Sequence, residues 1–150
     1  MKRQTVPTSE LSAYLPHRAP MVWIDEVTAY GPEGGEALVH LKPEGLYFSN
    51  GELRPSSLIE FMAQGQGFVG ACHVRDQNVV QTPKRAFLVA VTKAEFGDAI
   101  PKVRAGDTLR VEVGPSRQLG EIHVFKGSVT TSSGDLLCSA QLKVFISFEA

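Results

Sequence analysis

The chain has 150 residues, and its 15 basic side chains nearly balance its 16 acidic ones. This length predicts a single domain, residues 1–150, with a core large enough to need no disulfide or metal. A hydrophobic content of 43% excludes an intrinsically disordered chain, and the net charge of −1 gives no electrostatic reason to bind nucleic acid or an anionic membrane.

Targeting signals and cysteines predict the compartment. The longest stretch without a charged residue, 61–74, has 14 residues, fewer than the roughly 20 that a membrane span needs. The first ten residues contain no apolar run of the kind found in secretory signals. Cys72 and Cys138 lie among apolar residues, which is typical of buried free thiols in a reducing compartment. We therefore expect a cytoplasmic protein.

The amino-terminal third predicts an arm followed by a hairpin. Residues 1–16 are expected to form the arm, with a short helix over 9–14 that ends at Leu15 and Pro16. Strands are predicted over 22–30 and 36–42, with a loop rich in glycine and proline over 31–35 between them. A longer loop over 43–55 then leads into the main helical segment.

One long helix is predicted over residues 57–75. Its apolar positions recur at offsets of four, three, four and three, which marks one helical face: Leu58, Met62, Gly65, Val69 and Cys72. The glycines at 65, 67 and 70 each cost about 1 kcal/mol of helix propensity relative to alanine. A helix with these residues is expected to be buried and approached closely by a surrounding sheet.

The rest of the chain predicts strands over 84–96, 107–113, 121–131 and 136–148. In the last of them every second residue is apolar, and these residues share one face of the strand: Leu136, Cys138, Ala140, Leu142, Val144, Ile146 and Phe148. At about 3.3 Å per residue this strand is about 43 Å long, enough to wrap around a helix. The expected fold class is α+β, with one long central helix wrapped by a curved antiparallel sheet of about six strands.

Three motifs carry a family resemblance. Residues 15–27, LPHRAPMVWIDEV, resemble the opening of the β-hydroxyacyl-acyl-carrier-protein dehydratases. Residues 60–64, EFMAQ, and residues 125–127, FKG, resemble later motifs of that family in the same order. The resemblance implies the hotdog fold and a dimer whose two acyl tunnels use residues of both subunits. The chain is also similar to the divergent dehydratase-like partner subunits of aryl-polyene and other fatty-acid-type pathways.

The chain departs from that family before the helix. The dehydratases carry HFPGxPxxPG there, and the histidine of this motif is a catalytic acid/base. Residues 47–56 here are YFSNGELRPS, in which Phe48 and Pro55 keep the spacing and place Tyr47 at the histidine position. From Pro55 to Glu60 the chain is also one residue shorter than the family pattern. The histidine of the catalytic pair is therefore missing.

The resemblance implies a set of site residues. Glu60 is the candidate acid/base, and Tyr47 is the candidate for the histidine's role. The substrate-binding residues that it implies are Gln64, Phe48, Pro55 and Ser56. It implies no cofactor, because the acyl group is carried on the phosphopantetheine of acyl carrier protein or on coenzyme A. No metal site is expected either, since His40, His73 and His123 have no ligand at metal-binding spacing.

Three functions remain open from these residues. Dehydration needs a base and an acid on either side of the C2–C3 bond, so Tyr47 or a water would have to assist Glu60. Thioester hydrolysis needs less, because Glu60 beside Gln64, with backbone amides as the oxyanion hole, would suffice. The third is a non-catalytic partner subunit. The partner is then a dehydratase-like subunit that carries the histidine, whereas a homodimer is expected otherwise.

Structural roles compete with these functional ones. Ser57 and Glu60 have the spacing of a capping box, which would by itself explain a glutamate there. His17 and Arg18 are expected to pack the amino-terminal arm. A solvated face, or a docking surface for the acidic carrier protein, is predicted for the densest group of basic residues: Lys84, Arg85, Lys93, Lys102 and Arg104.

Overall fold

The computed structural model describes residues 1–79 and 82–148. In chain order these residues form β1 (Lys2–Pro7), the 3-10 helix η1 (Thr8–Tyr14), β2 (Glu26–Gly31), β3 (Gly34–His40), β4 (Phe48–Ser49), β5 (Glu52–Leu53), α1 (Pro55–Asp76), β6 (Arg85–Phe96), the 3-10 helix η2 (Ile100–Lys102), β7 (Thr108–Val113), β8 (Arg117–Leu119), β9 (Ile122–Thr131) and β10 (Leu136–Ser147).

One antiparallel sheet wraps the long helix. Its strand order is β1-β2-β3-β7-β9-β10-β6, with β8 paired to β9, while β4 and β5 form a separate small hairpin. Helix α1 packs against β2, β3, β7, β9 and β10. The predicted α+β fold, a central helix inside a curved antiparallel sheet, is confirmed. Within the described residues no helix is long and apolar enough to cross a membrane.

The buried face of α1 is the predicted one, and glycines allow the sheet to approach it. Leu58, Met62 and Val69 are all buried. A Cβ on Gly65 would lie 2.9 Å from Val111 Cγ1 of β7, and a Cβ on Gly67 would lie 3.1 Å from Leu15 Cδ2. Position 65 therefore needs a small residue, because Val111 would have to shift, whereas at position 67 the flexible end of Leu15 would have to move by only a few tenths of an ångström.

Several element boundaries differ from the predicted ones. Strand β2 begins at Glu26, four residues later than expected, because residues 22–25 form a loop that is bonded to the helix and to β3. The hairpin loop shrinks to residues 32–33, and Gly34 adopts a φ of +115°, which a residue with a side chain rarely takes. The residues of β1 were predicted only to form an arm. They instead pair with β2, and Lys2 lies opposite Tyr30.

Strand β10 keeps only part of its predicted face. Residues 138, 140, 142 and 144 are buried on one side. A bulge between Leu136 and Cys138 in the pairing with β9 turns Leu137 inward and leaves Leu136 exposed. Phe148 lies beyond the end of the strand and is exposed as well. The extra residue of the bulge reverses the alternation at Leu136, whereas Phe148 fails the pattern because the strand ends at Ser147.

The two cysteines are buried free thiols, as predicted. Burial raises the pKa of Cys72 and that of Cys138 to about 11 each. Both therefore stay protonated near neutral pH and behave as small apolar side chains in the core.

Candidate active site

Helix α1 begins in a way that leaves Glu60 free of a capping role. Pro55 occupies its first turn, where the missing N–H has no intrahelical partner to lose, and no side chain caps the helix at Arg54. The Ser57 hydroxyl donates to the Tyr47 carbonyl at 3.2 Å. The expected capping box does not form because the helix starts before Ser57 rather than after it.

Gln64 lies one turn after Glu60 and holds its carboxylate. The Trp23 N–H donates to Gln64 Oε1 at 2.8 Å, and Gln64 Nε2 donates to the Met21 carbonyl at 2.7 Å. The same Nε2 donates to Glu60 Oε1 at 2.9 Å. Because a backbone N–H can only donate and a carbonyl can only accept, the amide cannot be reversed. Residues 21–23 thus aim a donor at Glu60.

His17 completes this group from the loop before β2. Its Nε2 lies 3.7 Å from Glu60 Oε1, and both side chains are roughly one-third exposed, at 27% and 32%. Arg18 Nη1 donates to the carbonyls of Leu15 and His17, both at 2.7 Å, which fixes the loop on each side of the imidazole. From the sequence, His17 is predicted only to pack the amino-terminal arm. Its place in the LPHR motif was the available signal for a role at the site.

The electrostatics favour the ionised form of Glu60. Burial by itself raises the pKa of Glu60, but the nearby His17 imidazole and the hydrogen bond from Gln64 outweigh burial, and the pKa lies below its usual value. A carboxylate with a lowered pKa is a proton acceptor at neutral pH.

Glu60 opens into a cavity of about 300 Å³. The walls come from α1, from the loop that carries His17 and from the paired strands β6 and β10. The residues that line it are Leu15, His17, Glu60, Ala63, Gln66, Gly67, Pro83, Ala86, Phe87, Leu88, Val144 and Ile146. Among these described residues only His17 and Glu60 are titratable. Apolar walls around one carboxylate suit an acyl chain with a polar reacting end.

A second, smaller cavity of about 190 Å³ continues from the first along α1. The two share lining residues, among them Leu15, Gly67 and Ile146, and the second reaches Val74 and Phe148. A larger depression of about 570 Å³ lies over β3, β7 and β9. It is lined by charged surface residues such as Arg110 and Glu112, which pair with each other at 3.8 Å, and by none of the predicted site residues.

Tyr47 does not line the cavity that contains Glu60. Its hydroxyl accepts a hydrogen bond from the Lys42 N–H at 2.7 Å, and its ring packs edge-on against Trp23 and Phe61. Burial raises the pKa of the Tyr47 hydroxyl above its usual value. The geometry gives Tyr47 the contacts of a core residue that anchors the loop before β4.

The other predicted binding residues also lie away from this cavity. Pro55 and Ser56 are exposed in the first turn of α1, and Phe48 is half-buried with its ring 5.2 Å from that of Tyr47. Within one subunit, therefore, the structure brings Glu60 and Gln64 together, and adds His17. It does not bring Phe48, Pro55 or Ser56 to them.

The basic residues do not all share one environment. Lys84 and Arg85 are exposed and directly precede Ala86, which lines the cavity. Arg104 Nη1 instead donates to the carbonyls of Pro101 and Val103. Within residues 1–79 and 82–148, no three metal-ligating side chains are grouped closely enough to hold a metal ion.

Comparison with known proteins identifies the chain's relatives. The model of the ApeP-like family, described as ApeP dehydratase, matches residues 9–149. The chain belongs to the ApeP-like dehydratase family. The matched range includes all three motifs, at residues 15–27, 60–64 and 125–127.

Curated relatives of this ApeP-like chain are dehydratases as well. It is 32% identical over 149 residues to the 3-hydroxyacyl-(acyl-carrier-protein) dehydratase FabZ of Vibrio cholerae, with 94% of this chain and 92% of that protein covered. It is 33% identical to the FabZ of Latilactobacillus sakei, with 93% and 97% covered. The ApeP-like chain is thus a dehydratase-like protein along nearly its whole length.

Solved structures agree on the fold. The dehydratase heterocomplex ApeI:P from Xenorhabdus doucetiae superposes with a TM-score of 0.79 at 21% identity, covering 94% of the ApeP-like chain and 91% of that chain. A hypothetical thioesterase with coenzyme A from Streptococcus pneumoniae gives a TM-score of 0.57 at 13% identity, covering 82% and 85%. At these identities the two likenesses establish a shared fold.

Proposed function

We propose that this chain is the carboxylate-bearing subunit of a dehydratase that removes water from 3-hydroxyacyl thioesters, and that a partner subunit supplies the missing imidazole. The observation that carries the proposal is the Glu60 carboxylate in a largely apolar cavity. Loss of water needs a base at C2 and a proton donor at C3. Glu60 is one such group, and the walls around it suit an acyl chain.

Among residues 1–79 and 82–148, no second acid/base group lies at a suitable place beside Glu60. The Tyr47 hydroxyl is engaged with the Lys42 N–H away from the cavity, and its raised pKa makes it a poor base. Nδ1 of His17 is buried, and Nε2 faces Glu60, so neither nitrogen is turned toward a substrate. Both observations support a group that comes from another chain.

Strand β6 supports a subunit partner beside the cavity. It is the last strand in the sheet order, so one of its edges has no neighbouring strand among the described residues. Its apolar side chains are nonetheless exposed, including Phe87 at 55% and Val89 at 50%. A long apolar edge strand invites pairing with another strand. Because Ala86, Phe87 and Leu88 also line the cavity, a subunit on β6 would lie next to Glu60.

We take this partner to be a dehydratase-like chain that carries the histidine. A homodimer would hold two copies of Glu60 and no imidazole at the family position. A heterodimer would place one imidazole opposite one Glu60 carboxylate. The similar structure from Xenorhabdus doucetiae is a complex of two different dehydratase chains, which supports this choice.

We further propose that the substrate is carried on acyl carrier protein in the cytoplasm. The curated relatives are named as acyl-carrier-protein dehydratases. Lys84 and Arg85, exposed beside the cavity wall at Ala86, suit an acidic carrier protein and the phosphate of its phosphopantetheine arm. The buried free thiols Cys72 and Cys138 agree with a reducing compartment.

Intact mass spectrometry of a (3R)-3-hydroxyacyl-loaded carrier protein tests the function. The substrate is incubated with this chain, with a His-bearing dehydratase-like subunit, or with both. We expect loss of one water only when both chains are present, and a loss of about 100-fold or more in rate when Glu60→Gln replaces the wild type. Full activity of this chain as a homodimer, or wild-type rates for the variant, would contradict the assignment.

Thioester hydrolysis is the second candidate, favoured by the ionised state of Glu60. A carboxylate on the central helix can activate water against a thioester carbonyl without a second acid/base group. The same experiment separates the two candidates, because hydrolysis removes the whole acyl group from the carrier protein. Release of free acid that depends on Glu60, without loss of water, would replace the dehydratase assignment.

A further inference from the structure

The smaller cavity that continues from the Glu60 cavity, which we call the far cavity, contains space that packing does not explain. On its helix side it is bounded by Gln66, Gly67, Gly70 and Val74. A Cβ on Gly70 would meet nothing within 4 Å, although glycine is among the residues least favourable to a helix interior. No contact among the described residues therefore requires glycine at this position, whereas a ligand in the far cavity would.

Gln66 stands where the two cavities meet, since it lines both of them. Its amide has no hydrogen-bond partner among residues 1–79 and 82–148, and its Oε1 is buried. A buried polar atom without a partner is uncommon and points to a group that this chain does not itself supply. The last torsion of a glutamine side chain is broad, so the amide can turn either its oxygen or its nitrogen toward a ligand.

Two further polar residues line the far cavity. The Ser116 hydroxyl lies 3.3 Å from Nδ1 of His123, while the other ring nitrogen has no hydrogen-bond partner in the described parts of the chain. Tyr14 lines the cavity as well, and its hydroxyl is equally without a partner in those segments. The other walls include apolar residues such as Ile146 and Phe148. Apolar walls with a few unengaged polar groups are typical of a site for a small ligand.

The position of Gln66 sets where a polar group of the ligand would lie. Gln66 follows Glu60 by six residues, which places it about 9 Å further along the helix axis. Val74 follows Glu60 by fourteen residues and lies about 21 Å further along the same axis. An acyl chain that reacts at Glu60 and continues along α1 therefore brings its tail, not its thioester end, past Gln66.

We propose that the far cavity receives the tail of the acyl group, that this tail carries a hydroxyl, and that Gln66 is the residue that selects it. A hydroxyl both donates and accepts, so it satisfies the Gln66 amide in either orientation. A saturated tail would leave the amide against hydrocarbon without a partner, and a site of this kind rejects the analogue that lacks the hydroxyl. The inference rests on the proposed function, since it names the substrate class of the same site.

Binding of paired ligands tests the inference without a reaction. The probes are 3-hydroxyacyl-pantetheine amides of graded chain length, each made with a methyl end or with a terminal hydroxyl. Isothermal titration calorimetry with the dimer of this chain and the His-bearing subunit gives the two Kd values. Where the chain is long enough to reach Gln66, we expect the hydroxyl-ended ligand to bind about tenfold more tightly. Equal Kd values at every length would overturn the inference and leave water as the partner of the amide.

The variant Gln66→Leu assigns the preference to one side chain. It keeps an apolar wall of similar size but removes the amide, so we expect the preference for the hydroxyl to disappear while methyl-ended chains still bind. Gln118→Leu is the matched control, because Gln118 lies on β8 and lines neither cavity. Far-ultraviolet circular dichroism checks that both variants are folded. A preference that persists in folded Gln66→Leu would overturn the role of Gln66.

The variant Gly70→Leu tests whether the tail occupies the far cavity. Its side chain would fill the space that Gly70 leaves open, so we expect the longest chains to bind about tenfold more weakly, with the shortest unaffected. Gly70→Ala, which adds a single methyl group, is the control for the change in helix propensity. Unchanged binding of the longest chains by folded Gly70→Leu would place the tail elsewhere and overturn the inference.

Failure of the proposed function would give a different pattern. If no mixture loses water in the mass-spectrometric assay but the preference for the hydroxyl depends on Gln66, the assignment of the far cavity is supported and the dehydratase assignment is wrong. If water is lost and the wild type does not distinguish the paired ligands, the dehydratase assignment is supported and the inference about the tail is wrong. Absence of binding by every ligand would overturn both.

Discussion

Gln64 Nε2 lies 2.9 Å from Glu60 Oε1, and this amide is itself held by two backbone groups more than forty residues away in sequence. The loop at 21–23 and the helix thereby orient one carboxylate together. Because Gln64 is 1% exposed, its three hydrogen bonds are protected from water. The site is rigid on the Oε1 side and open on the cavity side.

Replacing Gln64 should cost stability, and Gln66 offers a matched control. In Gln64→Leu the Trp23 N–H and the Met21 carbonyl lose their partner, so we expect the free energy of unfolding to fall by about 2–3 kcal/mol. Gln66 Oε1 is buried and has no hydrogen-bond partner. Gln66→Leu should therefore change the free energy of unfolding by less than about 0.5 kcal/mol. Urea denaturation measures both. Equal effects of the two variants would show that the hydrogen bonds of Gln64 contribute little.

The ionisation of Glu60 predicts a pH-dependent contribution to stability. Since the pKa of Glu60 is lower when folded than its usual 4.5, the unfolded chain binds more protons near that pH. The stabilisation is therefore present above pH 4.5 and is lost as pH falls through the lower folded value. We expect the difference in free energy of unfolding between wild type and Glu60→Gln to be larger at pH 7 than at pH 3. A difference that grows on acidification would show a raised pKa instead.

The role of Tyr47 is tested by removing its hydroxyl alone. Tyr47→Phe keeps the ring against Trp23 and Phe61 but deprives the Lys42 N–H of its acceptor. We expect a loss of about 1 kcal/mol of stability, with the dehydration rate unchanged within about twofold. Denaturation and the mass-spectrometric assay give the two values. A large loss of activity in a stably folded variant would place Tyr47 in the chemistry.

Two helix glycines should respond oppositely to alanine. A Cβ at Gly65 would meet Val111 Cγ1 at 2.9 Å, and valine is a stiff side chain, so Gly65→Ala should destabilise by about 1 kcal/mol despite better helix propensity. A Cβ at Gly70 meets nothing within 4 Å, so Gly70→Ala should stabilise by about 0.5–1 kcal/mol. Thermal unfolding of the two variants compares them directly. If alanine changed the stability in the same direction at both positions, close packing would not be the cause of the difference between them.

Charges on the apolar edge should block assembly. We expect the double variant Val89→Lys, Val91→Lys to run as a monomer where the wild type pairs with the His-bearing subunit, because both side chains are exposed on β6. Thr5→Lys, on the exposed face of β1 at the opposite end of the sheet order, is the control and should assemble normally. Light scattering gives the mass of each mixture. A complex of unchanged mass with the double variant would place the interface elsewhere.

The regular elements were predictable where hydrophobic periodicity alone decides them. The buried face of α1 and the alternation of Leu109, Val111 and Val113 follow from the spacing of apolar residues, and both are found as expected. Strand β1 was not predicted, since its residues are mostly polar and exposed, and only pairing with β2 makes it a strand. The failure of the pattern at Leu136 has a similar cause, because a bulge depends on the register of the neighbouring strand.

The sequence by itself determined the family, the fold class and the importance of Glu60 and Gln64, because these follow from motifs and from periodicity along the chain. Only the tertiary structure decided that Ser57 does not pair with Glu60, that the Tyr47 hydroxyl is turned toward Lys42, and that His17 faces the carboxylate. His17 and Glu60 are 43 positions apart in the printed sequence. Their approach to 3.7 Å depends on how a loop packs against a helix, and such contacts between distant segments form only when the whole chain folds.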